Sequence, residues 1–526
     1  MIDALLVYPH LGSMDSFVVD LPLSIIYAAA DSFQRGYDIK LLDLRTIKTD
    51  WRIPLREHLD SGVRMIGLSV MTGMPLINAR DVSRFVKSNY PNVKVVWGGP
   101  HMTVLHETIK EKFIDFSVRG YGSFALAELI GYLRGDGPDI IEIKGVSFKK
   151  NDTVVHNERS KHHEIIHYTN LPYHLLEVGN PSYSRSYLGE LMFSMFSSIG
   201  CPYNCSFCVH PAIYKVINPP KWLPIPEKDV VDHMEFAINE FGVRNICFID
   251  DTSFPNLERM RVIFQMILDR GLEVRLEFRG ARINELHKMD DEFIQLMIKA
   301  GTRVLKVGAE SASDRMLKLF NKQISAKQIL EVSKKFARFH ELTMDYNFFC
   351  GAPGESYDDL RITKDVVLQI LEDNPNAYYS YGADWKPIPG SEMLRLAEEQ
   401  YGFNSPKTFD EWAEMDSFDS KQKIVHPWYT KRHNNLIKLL QMAAFVLDDK
   451  VIKETAPNKS LPFRFVRLLA RIYKPINKFR LQHNLDYFVL EYDIYRFALR
   501  VFPLIQKIFG SKPKKRASSQ GQTRTS

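Results

Sequence analysis

Short apolar runs alternate with longer amphipathic stretches over most of this 526-residue chain. In residues 1 to 135 the runs Ala4–Tyr8, Ile39–Leu44, Met65–Val70, Val93–Trp97 and Phe116–Val118 read as strands. Between them, Leu23–Gln34 and Leu76–Lys87 carry apolar residues at helical spacing. Strands alternating with helices predict βαβ units and a parallel sheet covered on both faces. Ligands of such sheets bind at the carboxyl ends of the strands. Those ends are rich in small and turn-forming residues: Ser69-Val-Met-Thr72-Gly73, Gly98-Gly99-Pro100-His101 and Arg119-Gly120-Tyr121-Gly122-Ser123. Glycine there lets a ligand approach the backbone closely.

The pattern resumes further on. Leu188–Phe196, Asn245–Ile249, Glu273–Arg279, Val304–Val307, Asp345–Cys350 and Tyr378–Trp385 read as strands. Helical stretches Val230–Phe241, Leu257–Leu268, Asp290–Ala300 and Ala326–His340 fall between them. Roughly six βα units result, too few for the eight of a closed barrel. The predicted organisation is a Rossmann-like, flavodoxin-like α/β domain (1–135), a connector (136–186), a partial (β/α)6 barrel (187–400), a helical C-terminal region (401–510) and a disordered basic tail (511–526).

Arg464, Arg467, Arg471, Lys474 and Lys478 recur at spacings of one helical face, with Phe465, Leu469, Ile472 and Ile476 on another. No acidic residue follows Asp493, and Lys512, Lys514, Lys515 and Arg516 follow the apolar stretch Val501–Phe509. A basic amphipathic helix suits an anionic lipid interface. Packing on the barrel with a solvated basic face accounts for the same periodicity, and Pro475 interrupts it.

Composition narrows the class. Hydrophobic content of 45% and charged content of 25% fit a soluble globular protein. Net charge is a mild +6, and no nucleic-acid partner is expected. The five cysteines argue against a disulfide framework. Neither a signal peptide nor an apolar run of about 18 residues occurs. The expected location is cytoplasmic, with peripheral contact at the inner membrane face if the tail binds lipid.

Three of the cysteines stand together in Cys201-Pro-Tyr-Asn-Cys205-Ser-Phe-Cys208, and the other two, Cys247 and Cys350, lie in distant apolar runs. Iron–sulfur clusters are held by cysteine thiolates, usually four. Three at this spacing leave one iron open, which suggests reactivity. The alternative, a zinc loop, favours CxxC pairs and a fourth Cys or His, and His210 follows Cys208 too closely to serve well. The spacing, with Phe207 before the last cysteine, resembles the radical S-adenosylmethionine (SAM) superfamily. The resemblance implies a 4Fe–4S cluster on Cys201, Cys205 and Cys208 whose fourth iron chelates SAM. Gly308-Ala-Glu310-Ser311 looks like that family's fourth-strand motif. There Glu310 and Ser311 would hold SAM, although Ser311 and Ser313 also suit a helix cap. Gly351–Gly354 resembles its fifth-strand turn, and both glycines also suit an ordinary turn. The second strand has Phe248-Ile249-Asp250-Asp251 in place of Gly-Gly-Glu, so the group that binds the SAM amine stays open.

The first domain resembles the cobalamin-binding domain that precedes many radical SAM cores. Ser69-Val70-Met71 and Gly98-Gly99 match its signature, and a flavodoxin-like sheet without ligand is the alternative. The resemblance implies corrin and nucleotide contacts at Ser69, Thr72, Gly73, Gly98, Gly99, Pro100, Gly120 and Gly122. The Asp-x-His-x-x-Gly motif that supplies a lower cobalt ligand is missing: Tyr8 stands where His10 would need an aspartate partner. The loop Thr72–Ile77 is expected under the corrin instead.

Together the two resemblances imply a cobalamin-dependent radical SAM enzyme. It would use a 5′-deoxyadenosyl radical and methylcobalamin to methylate an unactivated carbon of a small-molecule or lipid-like substrate, with a flavodoxin or ferredoxin as electron donor. Oxidative cyclisation or rearrangement with the same cofactors is the runner-up. A methylthiotransferase would need a second cysteine triad before Cys201, and none is present.

Overall fold

The computed structural model describes residues 1–494 apart from 17, 152, 161–164, 186–189, 218–219, 416–425 and 456–460. The Val501–Phe509 stretch and the basic tail lie outside these residues. The chain divides into two compact units, Met1–His433 and Asn434–Ser526.

The first unit holds two seven-stranded sheets. In the first sheet β1 (Ile2–Tyr8), β2 (Ile39–Asp43), β3 (Val63–Ser69), β4 (Lys94–Gly98) and β5 (Phe116–Val118) are parallel, in the spatial order 2-1-3-4-5. That is the flavodoxin-like order. β1 lies between β2 and β3, and its residues Ala4–Val7 are buried on both faces, as a continuous apolar run requires. Two antiparallel strands, β6 (Val146–Lys150) and β7 (Thr153–His156), extend the edge beyond β5. The segment read as a connector thus gives the first sheet a hairpin. Its outer strand alternates weakly and is only partly buried, so periodicity marks it poorly.

A second departure concerns residues after 400. The helix Phe409–Glu414 lies against the helix Met74–Asn89, with Arg80 Nη1 2.8 Å from Asp410 Oδ1. Phe409 sits 6.1 Å from the Trp97 ring and 5.7 Å from Phe113. Part of the predicted C-terminal region therefore closes the core of the first domain.

The second sheet begins with the two-residue β8 (Ser184–Arg185), antiparallel to β9 (Glu190–Met195). A separate hairpin, β10 (Ser198–Gly200) with β11 (Trp222–Pro224), brackets the cysteine loop. β12 (Asn245–Phe248), β13 (Arg275–Arg282), β14 (Thr302–Glu310), β15 (Thr343–Cys350) and β16 (Ala377–Asp384) then join β9 in parallel, in simple sequential order. Six parallel strands with intervening helices form the expected partial barrel. Its outer face packs on phenylalanines: Phe278 stacks on Phe248 at 4.8 Å and meets Phe254 at 4.9 Å.

The inner face is polar. Ser194, Cys247 and Glu277 are register partners on it. Arg279 Nη1 donates to Asp20 Oδ2 at 2.5 Å and its Nε to Glu277 at 3.3 Å, while Lys306 Nζ lies 3.7 Å from Glu277. Asp20 comes from the first domain and also accepts from Ser194 Oγ at 2.8 Å. Arg45, itself paired with Asp43, fixes that segment by donating to the carbonyls of Val18 and Asp20. The two domains therefore interlock through charge inside the barrel.

After β15 the chain turns sharply, and Glu355 secures the turn. Its buried Oε2 accepts the Gly351 N–H at 2.8 Å and the Tyr429 hydroxyl at 2.5 Å. Burial pushes this carboxyl up to about 7, despite both hydrogen bonds. Between about pH 4.5 and 7 the folded state keeps a proton that the unfolded state releases, so this group destabilises the fold progressively as pH rises. Glu355→Gln should retain both acceptor bonds and remove that dependence. Melting curves at pH 5 and 8 should show the variant gaining on wild type at the higher pH by on the order of 2–3 kcal/mol. An equal offset at both values would contradict the assignment.

Candidate active site

The cysteine loop runs from β10 into the helix Val209–Ile217. Gly200 precedes it at φ +85°, and a Cβ there would lie 2.4 Å from the Lys221 carbonyl oxygen, so only glycine lets the hairpin close. The Cys201 N–H donates to the Tyr214 hydroxyl at 2.7 Å. Ser206 is held by the carbonyls of Phe320 and Leu319, and its own carbonyl caps the chain at Met393. Phe207 packs into the barrel top, 5.1 Å from Phe349 and 5.6 Å from Phe320.

Cys201 and Cys205 are buried and Cys208 half-buried, and none of the three is in a disulfide. Burial pushes Cys201 up to about 11 and Cys208 up to about 12. Thiolates in such a place need cationic compensation. Arg282, buried at the end of β13, supplies part of it: its Nη1 donates to Cys205 Sγ at 3.4 Å and its guanidinium lies 3.8 Å from the Tyr203 ring centroid. Iron would supply the rest, because coordinated thiols deprotonate. His210 does not turn toward the thiols; it pairs with Asp251 at 2.7 Å. The donor set thus suits a thiolate-bound cluster.

Glu310 ends β14 at φ +68° and accepts from the buried Lys322 Nζ at 2.8 Å. Lys322 also lies 5.7 Å from the Phe207 ring, and its carbonyl accepts from Arg282 Nη2 at 3.1 Å. Glu310 is thereby joined to the cysteine loop through two cations. Ser311 is different. It is fully buried, its hydroxyl 3.3 Å from Thr363 Oγ1 and accepting the Ser313 N–H, and Ser313 caps the helix Asp314–Leu319. The Ser311 hydroxyl thus supports the Ser313 cap from two residues upstream. Gly351 and Gly354 have φ of +85° and +71°, and Cβ atoms there would run into His426 and Tyr401. Arg282, Lys322 and Glu285, which receives the Tyr203 hydroxyl at 3.0 Å, carry no motif that sequence reading recognises.

A cavity of about 270 Å³ opens at the carboxyl ends of β3, β4 and β5. Ser69, Gly98, Gly99, Pro100, Gly120 and Gly122 line it, as expected. Gly99 has φ +93°, and a Cβ would fall 2.8 Å from the Val70 nitrogen. Thr72 and Gly73 lie off this lining: Thr72 Oγ1 pairs with His101 Nδ1 at 2.9 Å, and Gly73 precedes the helix Met74–Asn89. His101 is buried and held down to about 4 by desolvation, so it is neutral. The far wall includes Ile199 and Leu223 of the β10–β11 hairpin, beside Cys201. The cavity is apolar and glycine-walled, and its size suits a flat group such as a nucleotide base.

One expectation fails. His10 does have a carboxylate partner: Asp15 Oδ2 lies 2.7 Å from its Nδ1. The loop turns back on itself through Gly12 at φ +73°, and the Leu11 N–H also donates to Asp15. His10 is not among the cavity-lining residues.

Comparison with known proteins agrees with this geometry. Residues 11–130 match the B12 binding domain, and residues 195–367 match the Radical SAM superfamily. The chain belongs to the cobalamin-binding radical SAM enzymes. Its cofactors are accordingly a 4Fe–4S cluster, SAM and cobalamin. An uncharacterized methyltransferase of Pyrococcus horikoshii is 25% identical, over 86% of this chain and 94% of that protein. The anaerobic magnesium-protoporphyrin IX monomethyl ester cyclase of Cereibacter sphaeroides is 24% identical, over 60% of this chain and half of that protein. The solved structure of OxsB, a cobalamin-dependent SAM radical enzyme, shares the fold at a TM-score of 0.68 and 18% identity, over 95% of this chain and 75% of that one.

Two variants separate the sites. Replacing Cys201, Cys205 and Cys208 with alanine together should remove all cluster iron; about four irons retained per chain would refute the ligand set. Gly98→Leu should fill the cavity, since a Cβ there meets Val118 only at 3.6 Å. Cobalamin retention after gel filtration should fall at least about tenfold with iron unchanged, and full retention would place cobalamin elsewhere.

Proposed function

We propose that this enzyme methylates an unactivated carbon of a small-molecule or lipid-like substrate. The observation that carries this reading is the shared wall: Ile199, two residues before Cys201, and its register partner Leu223 both border the cobalamin cavity. A substrate held there meets both cofactors at once. The relative from Pyrococcus horikoshii that spans most of the chain is also named a methyltransferase.

When bound, the cofactors supply a 5′-deoxyadenosyl radical and a cobalt-borne methyl group. The protein positions and shields. Arg282 and Lys322 place positive charge beside Cys205 and Glu310, where thiolate and SAM carry their charges. Glu310 offers a carboxylate at a strand end to a ribose diol or an ammonium. The polar face of the barrel, with Arg279, Glu277 and Lys306, receives the substrate's polar portion, and Asp20 delivers a first-domain group to the same face. A flavodoxin- or ferredoxin-like protein delivers the electron.

Ring formation without net methyl transfer is the second reading, supported by the cyclase relative. Anaerobic protein loaded with all three cofactors, given SAM, reductant and an extract of the source cell, separates the two. Mass spectrometry should show a product heavier than its precursor by one methylene, carrying label from methyl-labelled SAM. A product lighter by two hydrogens, with no label, would establish the cyclase reading instead.

A further inference from the structure

The second unit contains a surface that the cofactor chemistry does not use. Among the described residues its longest helix, Leu461–Gln482, has no acidic residue and includes Arg464, Arg467, Arg471, Lys474, Lys478 and Arg480. Pro475 lies inside the helix without ending it. Ala470, Asn477 and Leu481 form its buried side: Asn477 Nδ2 donates to the Leu439 carbonyl at 3.4 Å, and the half-buried Tyr473 hydroxyl donates to Glu491 at 3.0 Å. At about 100° per residue these four share one face.

Directly opposite lies an apolar face. Phe465, Leu468, Leu469, Ile472, Ile476 and Phe479 fall within about 100° of arc on the same helical projection. Each is between 48% and 59% exposed. Scattered exposed apolar residues need no explanation, but a contiguous row of six large ones marks a binding surface. Arg464, Arg467, Arg471, Lys474 and Lys478 occupy the arc beside this row. Beyond the helix, Phe488 and Leu490 are 83% and 70% exposed. Among the described residues no helix is long and apolar enough to cross a membrane.

We propose that this helix docks the enzyme on an anionic lipid bilayer. It lies in the plane of the interface, its apolar row among the acyl chains and its basic arc at the headgroup phosphates. Lys474 already pairs with Asp449 at 2.7 Å, but an apolar partner surface alone would match the row and leave Arg464, Arg471 and Lys478 without counter-charge. An acidic protein groove would match the cations and leave the row wet. A bilayer with anionic headgroups satisfies both in one orientation. The inference is independent of the methyl-transfer reading, because docking needs no turnover.

The test uses the full-length, cofactor-loaded chain with vesicles of phosphatidylcholine, with and without phosphatidylglycerol. Wild type should co-sediment with the anionic vesicles, and binding should fall at least about tenfold as salt is raised from low to high ionic strength. Arg464→Gln with Arg471→Gln should weaken binding by about tenfold or more and flatten the salt response. Leu469→Glu with Ile472→Glu should abolish it, and both pairs sit on exposed positions, so helical content by circular dichroism should not change. Wild type that ignores anionic vesicles would overturn the proposal. So would equal binding by wild type and both double variants. A wild-type dimer that the Leu469→Glu/Ile472→Glu pair converts to monomer, with no vesicle binding, would assign the row to self-association instead.

Discussion

The architecture depends on how closely two sets of strand ends approach each other. Gly120, in the loop after β5, faces Ile217 on the helix that leaves the cysteine loop. A Cβ at Gly120 would fall 2.7 Å from the Ile217 side chain. Gly390, after β16, meets Val104 and Ala212 in the same tight way. Parallel sheets gather their ligand-binding loops at one end, and these glycines let two such ends abut. The cavity at the strand ends of the first sheet consequently borrows a wall from the hairpin that leads into Cys201.

Charge then fixes what contact alone leaves loose. Buried thiols resist ionisation, and Arg282 answers with a direct bond to Cys205 while its second nitrogen holds the Lys322 carbonyl. Lys322 in turn pairs with Glu310, which links the cysteine loop to the end of β14. Breaking a buried pair by removing one partner is costly, typically several kcal/mol, because the other charge stays behind. Inside the barrel, Asp20, Arg279, Glu277 and Lys306 make a comparable chain that crosses from one domain to the other. Groups so arranged keep the inner face of the barrel polar.

Much of this was legible in the sequence because it is local. Cysteine spacing, period-two and period-3.6 runs, and glycines at strand ends each need only neighbouring residues to be read. The six barrel strands were found for that reason. What escaped depends on long-range contact. β7 is a partly buried edge strand, and Phe409 belongs to a core whose other members, Trp97 and Phe113, lie some 300 residues earlier. Arg282 and Lys322 are single basic residues whose meaning appears only when folding sets them against Cys205 and Glu310. Ser311 is a motif position whose hydroxyl lies 3.3 Å from Thr363 Oγ1, a contact that spacing alone does not reveal. Asp15 likewise completes His10 from outside the motif, through a turn that spacing rules do not describe.

The central claim is that one chain holds cluster and cobalamin across a single shared wall. Electron paramagnetic resonance on anaerobic protein loaded with both cofactors tests it most directly, with the cluster reduced and cobalamin in its paramagnetic cob(II)alamin form. The account predicts that each signal is broadened or split by dipolar coupling to the other, and that protein loaded with either cofactor alone gives the unperturbed spectrum. Two signals that superimpose on the single-cofactor spectra would place the cofactors apart and contradict it.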